Sequence, residues 1–192
     1  MQAQGLSVVG YCLMSNHVHR VVVPPRAEAL AVVLKQTHGR YASYWNVSHA
    51  SSGQVWQGRF YSCPMDPGYL WEALRYAELN PVRAGMAVEA EAWPWSSAAA
   101  HCGTAAPDAC LEMKMGRDHW SEATWRKFQE AGETESDLFA LRRCTHTGRP
   151  LGPAEFVQRL EQGAHRRLVP QKGGRPRRTV ADSRHDTLAL AK

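Results

Sequence analysis

The sequence predicts an α+β fold, an antiparallel sheet with helices packed on it, followed by a small helical, basic C-terminal region. Three observations carry this. Two β-rich runs lie back to back near the N-terminus, apolar residues recur at three and four further on, and positive charge collects toward the C-terminus. The 192 residues are 44% hydrophobic, enough for one domain with a sizeable core or a compact domain with an appended segment. The overall charge of +5 is unevenly spread, with +3 over residues 1–85, −6 over 86–140 and +8 over 141–178. A concentrated basic segment is the electrostatic footprint of a phosphate-bearing partner or simply a solvated tail.

The five cysteines, Cys12, Cys63, Cys102, Cys110 and Cys144, are odd in number and form no C-x-x-C pair. Neither a disulfide framework nor a zinc ribbon is indicated, and a reducing cytoplasm is the expected compartment. No apolar run approaches the ~18 residues of a membrane span, and the first residues lack a basic region followed by an apolar core. The expectation is a soluble, untargeted chain with no membrane partner.

Residues 6–14 are rich in β-formers and alternate loosely, which predicts a strand ending near Met14. A tight turn at Ser15-Asn16 then leads into a second strand through Val23, closed by Pro24-Pro25. One long strand bulged at Ser15-Asn16 is the alternative, and both arrangements set His17 and His19 on one face, since side chains alternate with period 2. Two adjacent imidazoles can hold a divalent metal, or they can be solvated surface groups. Leu30, Val33, Leu34, Thr37, Tyr41, Tyr44 and Trp45 follow helical spacing over Ala27 to about Trp45. Lys35, Gln36, His38 and Arg40 occupy the opposite face, suited to a nucleic-acid backbone or to water.

After a loop at 46–54, Gln54 to Tyr61 reads as a short aromatic strand carrying Arg59. Its Trp56 and Phe60 are either core or platforms for unpaired bases. Asp66-Pro67 is a cap followed by a proline at the first helical position. The helix it opens runs to about Leu79, with Pro81 as its stop and Leu70, Ala73, Leu74 and Ala77 as its apolar stripe. Tyr76 and Asn80, four apart, share a face if that helix persists. A helical tyrosine is core filler or a nucleophile. Residues 98–120 lack sustained periodicity and read as a loop with a short insert. Amphipathic helices are expected near 122–128, 136–143 and 153–161, with a helix-turn-helix as one reading of the last two. The domain reading is therefore 1–100, a helical region at 101–165, and an Arg-, Gly- and Pro-rich tail at 166–192 expected to be disordered when free.

Taken together, several of these motifs resemble one family. They are Ser15-Asn16-His17-Val18-His19, Val55-Trp56-Gln57-Gly58-Arg59-Phe60, the run from Leu74 to Gly85 containing Arg75, Tyr76, Asn80 and Arg83, and Trp93-Pro94-Trp95-Ser96-Ser97. With Thr147 to Gly152 and the Gly-Arg-Pro tail, they are similar to the REP-associated tyrosine transposases. Those are relatives of the insertion-sequence-200-type transposases among the HUH single-strand endonucleases. The resemblance spans about residues 6–178 and implies an HUH, ferredoxin-like catalytic domain.

It further implies that His17, His19 and Asn80 ligate Mg²⁺ or Mn²⁺, and that Tyr76 attacks the scissile phosphate. The product would be a 5′-phosphotyrosine link and a free 3′-hydroxyl. The implied partner is single-stranded or hairpin DNA, met by Arg20, Lys35, Arg40, Trp56, Arg59, Arg75, Arg83, Arg149, Arg175, Arg177 and Arg178. The acting unit would be a monomer or a homodimer. Two features depart from the pattern. The strand and helix that usually precede residues 6–14 are not in this sequence, which predicts an open sheet edge beside the histidine strand. Arg20 stands where an apolar residue is commoner. The alternative function is a binding module that keeps hairpin recognition without catalysis. A histidine-triad hydrolase is set aside, because Val21 stands where its third histidine is needed.

Overall fold

The computed structural model describes residues 5–170, which form an α+β fold built on a two-stranded antiparallel sheet. Strand β1 (Ser7–Leu13) pairs with β2 (Val18–Val23) from Leu13 opposite Val18 to Ser7 opposite Val23. The Met14 amide donates to the His17 carbonyl at 2.9 Å, so Ser15 and Asn16 form the tip of a hairpin rather than a bulge within one strand. A bulge does occur, between Val8 and Gly10, and it lets the consecutive Val8 and Val9 both be buried. That explains why alternation along this run is only loose.

Beyond β1, residues 95–97 extend the hydrogen bonding. Leu13 donates to the Trp95 carbonyl at 2.8 Å and Ser97 to the Tyr11 carbonyl at 3.0 Å. Among the described residues β1 is the strand that pairs with β2.

Helix α1 (Ala27–Ser48) runs slightly past its expected end, and only its first half is buried, through Ala29, Val33 and Leu34. Tyr41, Tyr44 and Trp45, predicted to continue the buried stripe, are exposed, Tyr44 to 67%. The aromatic strand expected at 54–61 is absent; these residues bend. The cause lies in Trp56, whose indole donates to the His38 carbonyl at 3.1 Å and stacks on the His38 ring at 4.1 Å and 19°. That draws the segment onto α1 instead of a sheet edge.

The Asp66 cap forms as predicted, its carboxylate accepting from the Gly68 amide at 3.0 Å, and a 3-10 turn (Pro67–Tyr69) leads into α2 (Leu70–Glu78). The helix ends at Leu79, as expected. The chain breaks at Leu79, where Pro81 has no N–H to offer, and restarts as α3 (Asn80–Arg83) with that proline in its first turn. Gly10 lies so close to α2 that a Cβ there would stand 2.0 Å from Leu74 Cδ1, which seats the helix directly on the sheet.

Residues 98–120 hold two short helices, α4 (Ala98–His101) and α5 (Lys114–Arg117), where a loop was expected. α6 (Glu122–Glu130), α7 (Glu135–Thr147) and α8 (Ala154–Ala164) form where the periodicity placed them. Ser121 and Thr124 make a capping box on α6, and Gly148, at φ 66°, ends α7 in the left-handed region. The α7–α8 connection is tied back before α2, with Leu151 donating to the Pro64 carbonyl and Asp66 to the Leu151 carbonyl, each at 2.8 Å. One buried cluster draws together Val9, Val21, Leu74, Ala77, Trp125, Leu141, Cys144 and Leu151. Each large side chain so buried contributes about 1.5–3 kcal/mol. Among the described residues no helix is long and apolar enough to cross a membrane.

Candidate catalytic site

His17 leaves the hairpin turn and His19 follows on the same face of β2. Their rings meet edge to face, centroids 4.9 Å apart at 84°. His17 is exposed, with Nδ1 2.6 Å from Asn16 Oδ1. An amide oxygen only accepts, so Nδ1 is the donor in this bond. His19 is half-buried, and its pKa falls to about 4. Burial is the main cause, followed by the charges of His17 and Arg83. At neutral pH it is an uncharged imidazole with a lone pair available.

The His19 depression has a consequence for stability. The unfolded chain takes up this proton near pH 6.5 and the folded chain only near 4. The contribution is therefore fully present above about pH 6.5 and is lost as pH falls toward 4. In metal-free buffer, His19→Gln is expected to remove a pH-dependent loss on the order of 2 to 3 kcal/mol over that window, read by urea denaturation at pH 7 and pH 4. Parallel pH curves for the two proteins would refute the assignment.

Across from β2, α2 presents Tyr76, whose ring lies 5.6 Å from that of His19 at 85°. The Arg83 guanidinium covers the Tyr76 ring at 4.2 Å and donates to the Tyr76 carbonyl at 2.6 Å. Glu133, from the loop before α7, pairs with Arg83 and fixes it there. Its side chain is only 5% exposed, so the pair is shielded from solvent on that side. Backbone bonding runs on through the break, Leu79 donating to the Arg75 carbonyl and Arg83 to the Leu79 carbonyl, each at 2.9 Å. Asn80 therefore stays one turn beyond Tyr76, and its Nδ2 is buried without a partner.

The adjacent His17 and His19 rings are nitrogen donors of the kind a divalent ion takes, and imidazole suits Mn²⁺ better than the harder Mg²⁺. No group of three or more His, Cys, Asp or Glu gathers among the described residues.

The other residues expected to meet DNA are scattered. Lys35, Arg40 and Arg59 are exposed and free to meet phosphate. Arg20 sits on β2 between His19 and Val21, hence on the other face from the histidines, and its burial lowers its own pKa. Arg75 is a correction. It is 6% exposed, lies 3.9 Å over the Phe128 ring and donates to the Phe128 carbonyl at 3.1 Å, which anchors α6 on α2 and removes it from any DNA surface. Trp56 is half-buried against His38, with one ring face already covered. Arg83 is engaged at Tyr76 and Glu133, and Arg149 is half-buried with Nη1 unpartnered. Arg175, Arg177 and Arg178 lie outside the described residues.

Sequence reasoning missed Glu78 and Glu133. Glu78 is fully buried and accepts from Ser97 Oγ (2.6 Å), His101 Nδ1 (2.5 Å), Trp125 Nε1 (3.0 Å) and Gln129 Nε2 (2.7 Å). The signal was present, since Glu78 falls four residues after Leu74, on the apolar stripe itself, where a charge must find partners. For Glu133, in a loop, no local signal exists. Comparison of the chain with protein-family models, with curated proteins and with solved structures finds no match.

Proposed function

We propose that the chain is a metal-dependent transposase that cleaves single-stranded or hairpin DNA and transfers the strand through Tyr76. The observation that carries this reading is the succession of contacts from His17 to His19 to Tyr76 to Arg83, assembled from a hairpin and a helix far apart in sequence. A tyrosine serving only as core filler needs neither an imidazole at its edge nor a guanidinium across its face.

In the reaction, the Tyr76 oxygen attacks phosphorus, a tyrosyl P–O bond forms and the P–O3′ bond breaks. The phenolic proton is lost to solvent and the departing 3′-oxygen takes one up. One ester replaces another, so a second 3′-hydroxyl can later reverse the step on a different strand without an external energy source. His17, His19 and Asn80 would hold Mg²⁺ or Mn²⁺, which when bound neutralises phosphate charge and so assists attack by the phenol. Arg83, held by Glu133, keeps the Tyr76 ring in place and brings positive charge beside the reacting phosphate. Lys35, Arg40 and Arg59 suit an electrostatic track for the strand.

The test is a labelled hairpin oligonucleotide incubated with the protein and Mn²⁺, then run on a denaturing gel. A slow band is expected with Tyr76 and none with Tyr76→Phe. A native gel shift with no such band for either protein would favour a hairpin-binding module without catalysis.

A further inference from the structure

The second half of α1 carries a ladder of aromatic rings that plays no part in the site above. His49 stacks on Trp45 at 3.8 Å and 16°, Trp45 lies 6.1 Å from Tyr41, Tyr41 lies 5.5 Å from Trp56, and Trp56 stacks on His38 at 4.1 Å and 19°. From His38 to the cap residue His49 the ladder follows the helix for about 16 Å, at about 1.5 Å per residue. Burial and then the charge of Arg20 lower the His38 pKa, and Arg20 lies on the face of β2 turned away from the histidines. This end of the ladder is therefore on the opposite side of the sheet from His17, His19 and Tyr76.

Two features select a partner for it. The rings are not core, since Tyr44 is 67% exposed, Tyr41 42% and Trp45 39%, and contiguous apolar area left in water marks a docking surface. The charge around them is of one sign. No Asp or Glu occurs between Glu28 and Asp66, whereas Lys35, Arg40 and Arg59 all do and are exposed. Lys35 stands three residues before His38 and Arg40 four before Tyr44, so these cations border the rings on the helix surface. A second copy of this face would set cation against cation. A polyanion that carries flat apolar groups matches both features.

We propose that this face of α1 binds unpaired nucleotides of single-stranded DNA, with bases stacked on Tyr41, Tyr44 and Trp45 and phosphates met by Lys35 and Arg40. The nucleotides held there are not those at the scissile phosphate; they anchor a part of the strand that is not cut. The choice of DNA as the polyanion rests on the transposase reading, but the binding itself requires no cleavage.

Fluorescence-anisotropy titration of the full chain in EDTA tests this, with a labelled oligothymidylate and an abasic strand of equal length. The abasic strand is expected to bind about tenfold more weakly. Tyr44→Leu, which keeps apolar bulk and deletes the ring, should weaken oligothymidylate binding by about tenfold and leave the abasic strand unaffected, whereas Tyr44→Phe should retain full affinity. Lys35→Gln combined with Arg40→Gln should flatten the slope of log affinity against log salt by about 1.4, at about 0.7 for each phosphate contact on a single strand. Thermal melts establish that the variants fold. Equal affinity for the two strands overturns the proposal, as does affinity unchanged by Tyr44→Leu. Tighter binding of an oligouridylate than of the oligothymidylate overturns DNA as the occupant. Sedimentation of the free chain as a dimer that Tyr44→Leu dissociates overturns it as well, by making this face an interface between copies. No metal-dependent step runs in EDTA, so the outcome stands apart from whether Tyr76 forms an adduct.

Discussion

Glu78→Ala is expected to destabilise the folded chain by about 4 kcal/mol, the largest effect of any single substitution in α2. The carboxylate is fully buried and receives four side-chain donors from two other segments, Ser97 and His101 around α4 and Trp125 and Gln129 on α6. Removing it leaves all four donors without their acceptor in a dry interior, and leaves a cavity between α2 and α6. Glu78→Gln retains the shape but turns one acceptor into an N–H that either faces the Trp125 and Gln129 donors or makes Ser97 and His101 reverse their roles, and is expected to cost about 2 kcal/mol. Urea denaturation followed by tryptophan fluorescence reads both, since Trp125 is itself one of the donors. A loss below about 1 kcal/mol for the alanine variant would show that water enters and replaces the carboxylate.

Arg83→Ala is expected to lower covalent adduct formation by about a hundredfold and stability by about 3 kcal/mol, through separable causes. The stability loss comes from Glu133, left as a buried carboxylate whose Oε1 already lacks a partner. The activity loss comes from the guanidinium that covers the Tyr76 ring and grips its carbonyl. Combining Arg83→Ala with Glu133→Gln removes the stranded charge and should restore much of the stability while leaving adduct formation low. Recovery of both in the double variant would mean that Arg83 matters only for folding, and would withdraw it from the reacting group.

Some misreadings share one cause. The exposed end of α1 and the missing strand at 54–61 depend on what lies opposite. Tyr41, Tyr44 and Trp45 have helical spacing, but a stripe is buried only if something covers it. Likewise, the β-forming residues Val55 to Tyr61 make no strand without a ladder to join, and the Trp56–His38 stack holds them elsewhere. Arg75 reads as a free cation beside Tyr76, yet one residue of helical rotation carries it from the histidine side onto Phe128.

The sequence by itself determined the two β-rich runs, the shared face of His17 and His19, the Asp66 cap, the stripe through Leu74 and Ala77, and the last three helices. Each follows from alternation, helical period or a capping side chain, interactions that span only a few residues and are therefore written locally. Only the tertiary structure decided that Tyr76 lies against His19, that Arg83 is held by Glu133, and that Glu78 is sealed among four donors. Those partners are brought together when α2 settles on the sheet at Gly10 and α6 closes over α2, and packing of that kind joins residues whose positions along the chain carry no mark of one another.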